Sequence, residues 1–135
     1  MNKNTIMSSI FTKIINGEIP SYKIAENDDF YAFLDINPNA KGHTLVVPKQ
    51  EVNKLFDLNE ELYNGLMSYS RKIAKALEKT IDCERIGMAV IGLEVPHVHV
   101  HLIPLKEMAD IQFSKKVKLS SNEFEAIAKA ISNNL

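Results

Sequence analysis

Between Pro96 and Pro104 the chain runs His97-Val98-His99-Val100-His101-Leu102-Ile103, three histidines in strict alternation with apolar residues. The run is too β-branched to favour a helix, and a period of two is the repeat of an extended strand. Residues i, i+2 and i+4 of a strand leave the backbone on one face at intervals of about 6.5–7 Å. Three imidazoles therefore share a surface, while Val98, Val100 and Leu102 enter a core.

The remaining elements are arranged around this strand. Ile10 to Ile15 predicts a short helical turn ended by Asn16-Gly17, after which Ile19-Pro20 sets an extended path. Tyr22 to Ala25 and Phe30 to Leu34 predict two strands joined by the polar turn Glu26-Asn27-Asp28-Asp29. The turn formers from Asp35 to Gly42 deliver the chain into a third strand, His43 to Val47, closed by Pro48. From Asp57 to Lys79, Leu62, Leu66, Tyr69, Ile73 and Leu77 recur at helical spacing, with Asp57 and Glu60 as a capping pair, so this is the longest helix. Arg85 to Ile91 predicts a fourth strand and His97 to Ile103 a fifth, paired antiparallel, with Gly92 and Pro96 bracketing their connection. Ser120 and Glu123 have capping-box spacing, and Phe124, Ile127, Ala128 and Ile131 form one face of a C-terminal helix over about 121–133.

No repeat, low-complexity tract or linker divides the 135 residues, and 45% hydrophobic content is ordinary for one globular domain. With 16 basic residues against 17 acidic ones, the net charge of −1 offers no broad attraction for a nucleic acid or an anionic membrane. An anionic ligand must be held locally. The basic stretch Lys115-Lys116-Val117-Lys118 reads as solvated surface. A lone cysteine, Cys83, excludes an intrachain disulfide and a paired-cysteine zinc site and fits a cytoplasmic protein. Residues 1–7 lack an apolar core and read as a frayed leader, with Met7 an alternative start; no later stretch approaches the roughly 20 apolar residues of a membrane span.

What could use a row of imidazoles is a matter of chemistry. Neutral imidazole is a competent nucleophile near pH 7, while its protonated form donates two hydrogen bonds to anionic oxygens. Phosphoryl transfer uses both roles, because its transition state spreads negative charge over oxygens that positioned donors can stabilise. His99, flanked by a histidine on either side, is the natural attacking residue if its other ring N–H is tethered, for instance to a backbone carbonyl. The fourth histidine, His43, opens another strand directly after Gly42. A divalent metal site is the competing use of histidines two apart, although no carboxylate or cysteine sits at obvious ligand spacing. The chain has neither a G-x-x-x-x-G-K-[ST] loop nor a G-x-G-x-x-G turn, so phosphate is held by other means.

These residues resemble the histidine triad (HIT) family, in its Hint-like nucleotide hydrolase branch, whose signature of three histidines alternating with apolar residues is matched throughout from His97 to Ile103. The likeness extends to Ile10-Phe11-Thr12-Lys13-Ile14-Ile15, Glu18-Ile19-Pro20, Ala32-Phe33-Leu34-Asp35-Ile36 and His43-Thr44-Leu45-Val46-Val47-Pro48-Lys49, covering about 9–105. The resemblance implies an α+β, HIT-like fold: an antiparallel sheet of about five strands, one long helix, a short N-terminal helix and a C-terminal helix. It implies a single HIT domain over 1–135, in which the C-terminal part is an extension, and a homodimer in which two subunits join their sheets.

It also implies a purine nucleotide of the AMP type as substrate. The base would lie in an apolar pocket of Phe11, Ile14, Phe33, Leu34 and Ile36, with Asp35 on the ribose. Read without the family, Phe33 and Ile36 are core and Asp35 is a turn cap beside Pro38. His99 would form a nucleotidyl intermediate that water hydrolyses, while His97, His101 and His43 orient it, contact phosphate and assist the leaving group. The phosphoramidate, adenylate or dinucleoside polyphosphate nature of the conjugate stays open. No cofactor is expected, and since Ser9 and Thr12 stand where zinc-binding members carry cysteines, no structural metal either. Leu93 and Glu94 replace polar residues that many members carry before the triad, and Ile91 replaces an Asn. These departures motivate the alternative of a nucleotide-binding regulatory module with weak or no catalysis.

Overall fold

In a computed structural model that describes residues 8–135, ten short stretches of regular structure surround one sheet. The leader read for residues 1–7 lies outside the described residues. Helix α1 spans Ile10–Ile15, and strands β1, β2 and β3 span Lys23–Glu26, Phe30–Leu34 and Thr44–Pro48. The long helix α2 covers Glu60–Thr80, β4 covers Arg85–Ala89, β5 covers Val100–Leu105, and α3 covers Ser121–Asn133. Two 3-10 turns, Leu55–Asp57 and Met108–Ile111, fill the connections. The five strands lie in the order β1-β2-β3-β5-β4, and every neighbouring pair is antiparallel. This is the α+β fold with a five-stranded antiparallel sheet that the resemblance implies.

Alternation divides the apolar residues between two layers. Phe30, Ala32 and Leu34 of β2, Val46 of β3, and Val98, Val100 and Leu102 face the larger core, which Leu66, Ile73 and Leu77 of α2 and Phe124, Ile127 and Ile131 of α3 complete. Tyr31, Phe33, Leu45 and Val47 point to the opposite face, where Phe11 and Ile14 of α1 cover them. Both faces of β2 and β3 are thus buried, which is why neither strand shows the polar alternation of a half-solvated strand.

Local signals set most boundaries. Ser9 caps α1 through Thr12 N–H, and Ser120 with Glu123 forms the expected capping box on α3. The expected Asp57–Glu60 cap of α2 is not used: Asn59 side-chain oxygen accepts from Leu62 N–H, and Asp57 closes the preceding 3-10 turn. Asn is as good an N-cap as Asp, and position decides between them. Strand β4 ends two residues earlier than expected, at Ala89.

The fifth strand enters its ladder at Val100, three residues later than the alternation suggests. Upstream, Gly92 takes a positive φ of 75° and a turn closes from His97 N–H to Val95 carbonyl at 2.8 Å. Val98 N–H then donates to Val52 carbonyl at 2.8 Å, outside the ladder. His97 and His99 therefore lie on extended backbone leading into the strand, and His101 lies within it, opposite Leu45 of β3 and Ala89 of β4.

Candidate active site

The alternation that sends Val98, Val100 and Leu102 under the helices sends the histidines toward α1 and the loop from Asp35 to Gly42. Phe11 packs edge-on against His97, His99 and Phe33, with ring centroids 5.7, 4.9 and 5.8 Å away. His99 and His101 lie 5.0 Å apart, and His43 meets His101 at 5.2 Å. Four histidines from two segments form one cluster. His43 is placed by Gly42, whose φ of 92° favours glycine and whose missing Cβ would fall 2.8 Å from Ile81.

Fixed hydrogen-bond partners assign each ring's proton. His99 Nδ1 lies 2.8 Å from the carbonyl of His97; a carbonyl only accepts, so Nδ1 carries a hydrogen, and in the neutral ring the lone pair falls to Nε2. This is the backbone tether that an attacking histidine needs. His97 donates from Nε2 to Pro48 carbonyl at 2.7 Å, which leaves its Nδ1 to face Ser9 Oγ at 2.6 Å. Asn39 N–H donates to His43 Nδ1 at 2.9 Å, so His43 carries its hydrogen on Nε2 and donates to His101 Nδ1 at 3.0 Å. His101 in turn has only Nε2–H left to offer. Among the described residues, neither His99 Nε2 nor His101 Nε2 has a hydrogen-bond partner.

Burial separates the four rings. His43 and His97 are closed off at 1% and 0% exposure, whereas His99 and His101 each retain 7%. Two of the rings are sealed, and His99 and His101 stay reachable. Desolvation holds His43 well below the usual histidine value, at about 3, and His101 at about 4, with the neighbouring ring and Lys116 acting in the same direction. Burial lowers His97 as well. The hydrogen bonds of His43 and His101, in which each ring accepts at Nδ1, call for the same neutral form.

Asp35 is the turn cap read for it without the family, and its second oxygen reaches the histidine cluster. Its Oδ1 accepts from Asn37 N–H at 2.8 Å, the turn cap, while Oδ2 sits 3.6 Å from His43 Nε2. Desolvation raises its pKa, as does the charge of nearby Glu94. Donor atoms of Asp35, His43 and His101 lie within 4.8 Å of one another, a juxtaposition of carboxylate and imidazoles that spacing along the chain does not reveal. To bind a metal there, the pair would have to give up the proton shared between His43 Nε2 and His101 Nδ1.

Of the expected apolar wall, Phe11, Ile14 and Phe33 come together on the histidine side. Leu34 does not join them: one residue after Phe33, its side chain turns to the helix-covered face and packs in the larger core. Ile36 stands exposed on the loop that follows β2. Leu93, at 90% exposure, and Glu94 both point to solvent, and Glu94 has no ion-pair partner among the described residues.

Several contributors had no sequence signal beyond their type. Glu51 accepts from Ser9 N–H at 2.8 Å and from Thr12 hydroxyl at 2.6 Å, and so binds the start of α1 next to His97. The stretch 115–118 is not free surface: Lys115 pairs with Asp110, Lys116 donates to Asn37 carbonyl at 3.1 Å and Asn39 Oδ1 at 3.0 Å, and Val117 N–H donates to Pro38 carbonyl at 3.0 Å.

Comparison with known proteins agrees with this geometry. Residues 16–108 match the HIT domain family. The adenosine 5'-monophosphoramidase HNT1 of Saccharomyces cerevisiae is 42% identical over 99 residues, which cover 73% of this chain but only 63% of that protein. An uncharacterized HIT-like protein of Borreliella burgdorferi is 36% identical over 135 residues, covering 93% of this chain and 97% of its own length. Among solved structures, a Hit-like protein of Bartonella henselae, described as involved in cell-cycle regulation, superposes with a TM-score of 0.83 at 35% identity, covering 95% of this chain and 96% of that one.

Proposed function

The chain belongs to the HIT domain family, and from that premise we propose that it cleaves a purine nucleotide conjugate at its α-phosphate through a nucleotidyl intermediate on His99. The observation that carries this reading is the Nδ1 tether of His99 to the His97 carbonyl, which leaves Nε2 as a fixed lone pair on a reachable ring. His99 Nε2 forms the bond to phosphorus as the bond to the leaving group breaks. The Nε2–H of His101 stabilises the phosphoryl oxygens, and His97 and His43 hold the other two rings. Water then attacks the phosphorus, releases the nucleoside monophosphate and restores the imidazole.

Relatives at 38% and 42% identity named as adenosine 5'-monophosphoramidases favour a phosphoramidate, so that the P–N bond breaks and the amine leaves with a proton from solvent, which the attacking water gives back in the second half. Phe11, Ile14 and Phe33 suit a base, and Asp35 suits the ribose hydroxyls. A homodimer formed by adding a second copy to β4, an outer strand with exposed Met88, fits the same reading. Among the described residues no helix is long and apolar enough to cross a membrane, and a cytoplasmic location is proposed with the activity.

Incubation with adenosine phosphoramidate followed by rapid quenching and mass spectrometry should reveal nucleotide on His99. His99→Ala should lose several decades of activity, on the order of 10³-fold or more. Parental rates in that variant, with no adduct in the parent, would overturn the mechanism. The exposed Leu93 and Glu94, whose side chains offer phosphate no donor, favour a second reading as a regulatory module, and AMP binding without turnover of any conjugate would establish it.

A further inference from the structure

Residues 106–118, between β5 and α3, contain none of the histidines, yet they cross the His43–His101 pair. Phe113 sets its ring edge-on to His101 at 4.8 Å and to His43 at 6.1 Å, and Lys116 lies 5.4 Å from the Phe113 centroid. The polar anchors of this strap converge on Asn39, which is 0% exposed. Its Nδ2 donates to Asp110 carbonyl at 3.1 Å, and its Oδ1 accepts from Lys116 at 3.0 Å. Asp110 is itself buried, accepts from Lys106 N–H and Glu107 N–H at 2.8 and 3.1 Å, and pairs with Lys115. An open pocket of about 580 Å³ bordered by Asn39, Asp110, Lys115, Val117 and Ile127 adjoins the strap, whose polar anchors act alongside the packing of Phe113.

The backbone N–H of Asn39 is the group that ends on His43 Nδ1. Without that donor His43 can carry its hydrogen on Nδ1 instead. Its Nε2 would then accept from His101 Nδ1–H, and His101 would show the phosphate a lone pair in place of Nε2–H. One hydrogen bond, two rings away, decides whether His101 attracts or repels an anionic oxygen. Asp35 Oδ2 also favours a hydrogen on His43 Nε2, but at 3.6 Å it lies beyond hydrogen-bond length.

We propose that Asn39, held in place by the 106–118 strap, is a positioning residue that fixes the tautomers of His43 and His101, so that His101 keeps its hydrogen on Nε2. Its effect on turnover rests on the reaction proposed above; its effect on the tautomers does not.

Long-range ¹H–¹⁵N spectra of the substrate-free, histidine-labelled protein at neutral pH read the tautomers directly. The parent should show both rings protonated at Nε2. Asn39→Ala and Lys116→Met should each move the pair toward mixed tautomers, the first more than the second. Turnover of adenosine phosphoramidate should fall about ten-fold or more in kcat for Asn39→Ala with little change in KM. Parental tautomers in both variants overturn the proposal even if stability drops. If Asn39→Ala does not fold, Lys116→Met alone decides by the same spectrum. If the parent has no phosphoramidase activity, the reaction is wrong, while shifted tautomers in the variants still support the positioning role.

Discussion

Ser9 Oγ and His97 Nδ1 stand 2.6 Å apart, joining the first residue of the N-terminal helix cap to the first histidine of the run across 88 positions. Ser9 also caps α1 by accepting from Thr12 N–H at 3.1 Å. One hydroxyl therefore seats the helix that carries Phe11 and satisfies a buried ring. Ser9→Ala removes both contacts and should cost about 1–3 kcal/mol in urea unfolding, whereas Thr12→Val, which keeps the His97 bond, should cost less. Equal losses in the two variants would contradict this division.

Three imidazoles held neutral make stability depend on pH. His43, His97 and His101 have folded pKa values below the unfolded value near 6.5, so the unfolded chain takes up protons first as pH falls. Their contribution is complete above about pH 6.5 and is lost on acidification toward about 4 and 3, the folded values of His101 and His43. Each fully titrating group removes about 1.4 kcal/mol per pH unit. Melting temperatures should therefore fall between pH 6.5 and 5, before the ordinary carboxylate range is reached, and His43→Gln should flatten that slope. A flat profile over this window would be inconsistent with neutral buried rings.

The proximity of Asp35, His43 and His101 makes metal dependence a direct question. Since His43 Nε2–H already occupies His101 Nδ1, the reaction proposed here runs on imidazoles alone, and exhaustive EDTA treatment should leave phosphoramidate turnover unchanged. Loss of activity that a divalent cation restores would move the nucleophile from His99 to a metal-bound water.

Ser70 is fully buried on α2, and its hydroxyl has no hydrogen-bond partner among the described residues. Ser70→Ala removes an unsatisfied polar atom and improves helix propensity, and it should stabilise the protein by about 1 kcal/mol in thermal or urea unfolding. A destabilised variant would show that the hydroxyl is satisfied after all.

Much of the architecture was legible because it is written in short-range patterns. The period of two from His97 to Leu102 correctly divides core from site, and Ser120 with Glu123 marks the start of α3. What escaped is long-range. Asn39 meets Asp110 and Lys116 across 71 and 77 positions, and Glu51 meets Thr12 across 39, so no local spacing announces them. Lys116 looked like solvated charge because a lysine's partners are not encoded near it. The resemblance places Leu34 with Phe33 in one pocket, although adjacent residues of a strand face opposite ways. The late entry of β5 into its ladder reflects the pairing of Val98 with Val52, a contact that alternation alone does not predict.

The run from His97 to Leu102 serves folding with one set of side chains and chemistry with the other. A single inserted residue within it would carry imidazoles beneath α2 and swing valines toward α1, whereas an added pair would restore the phase. An insertion upstream, in the solvent-facing turn around Leu93, would leave that phase untouched.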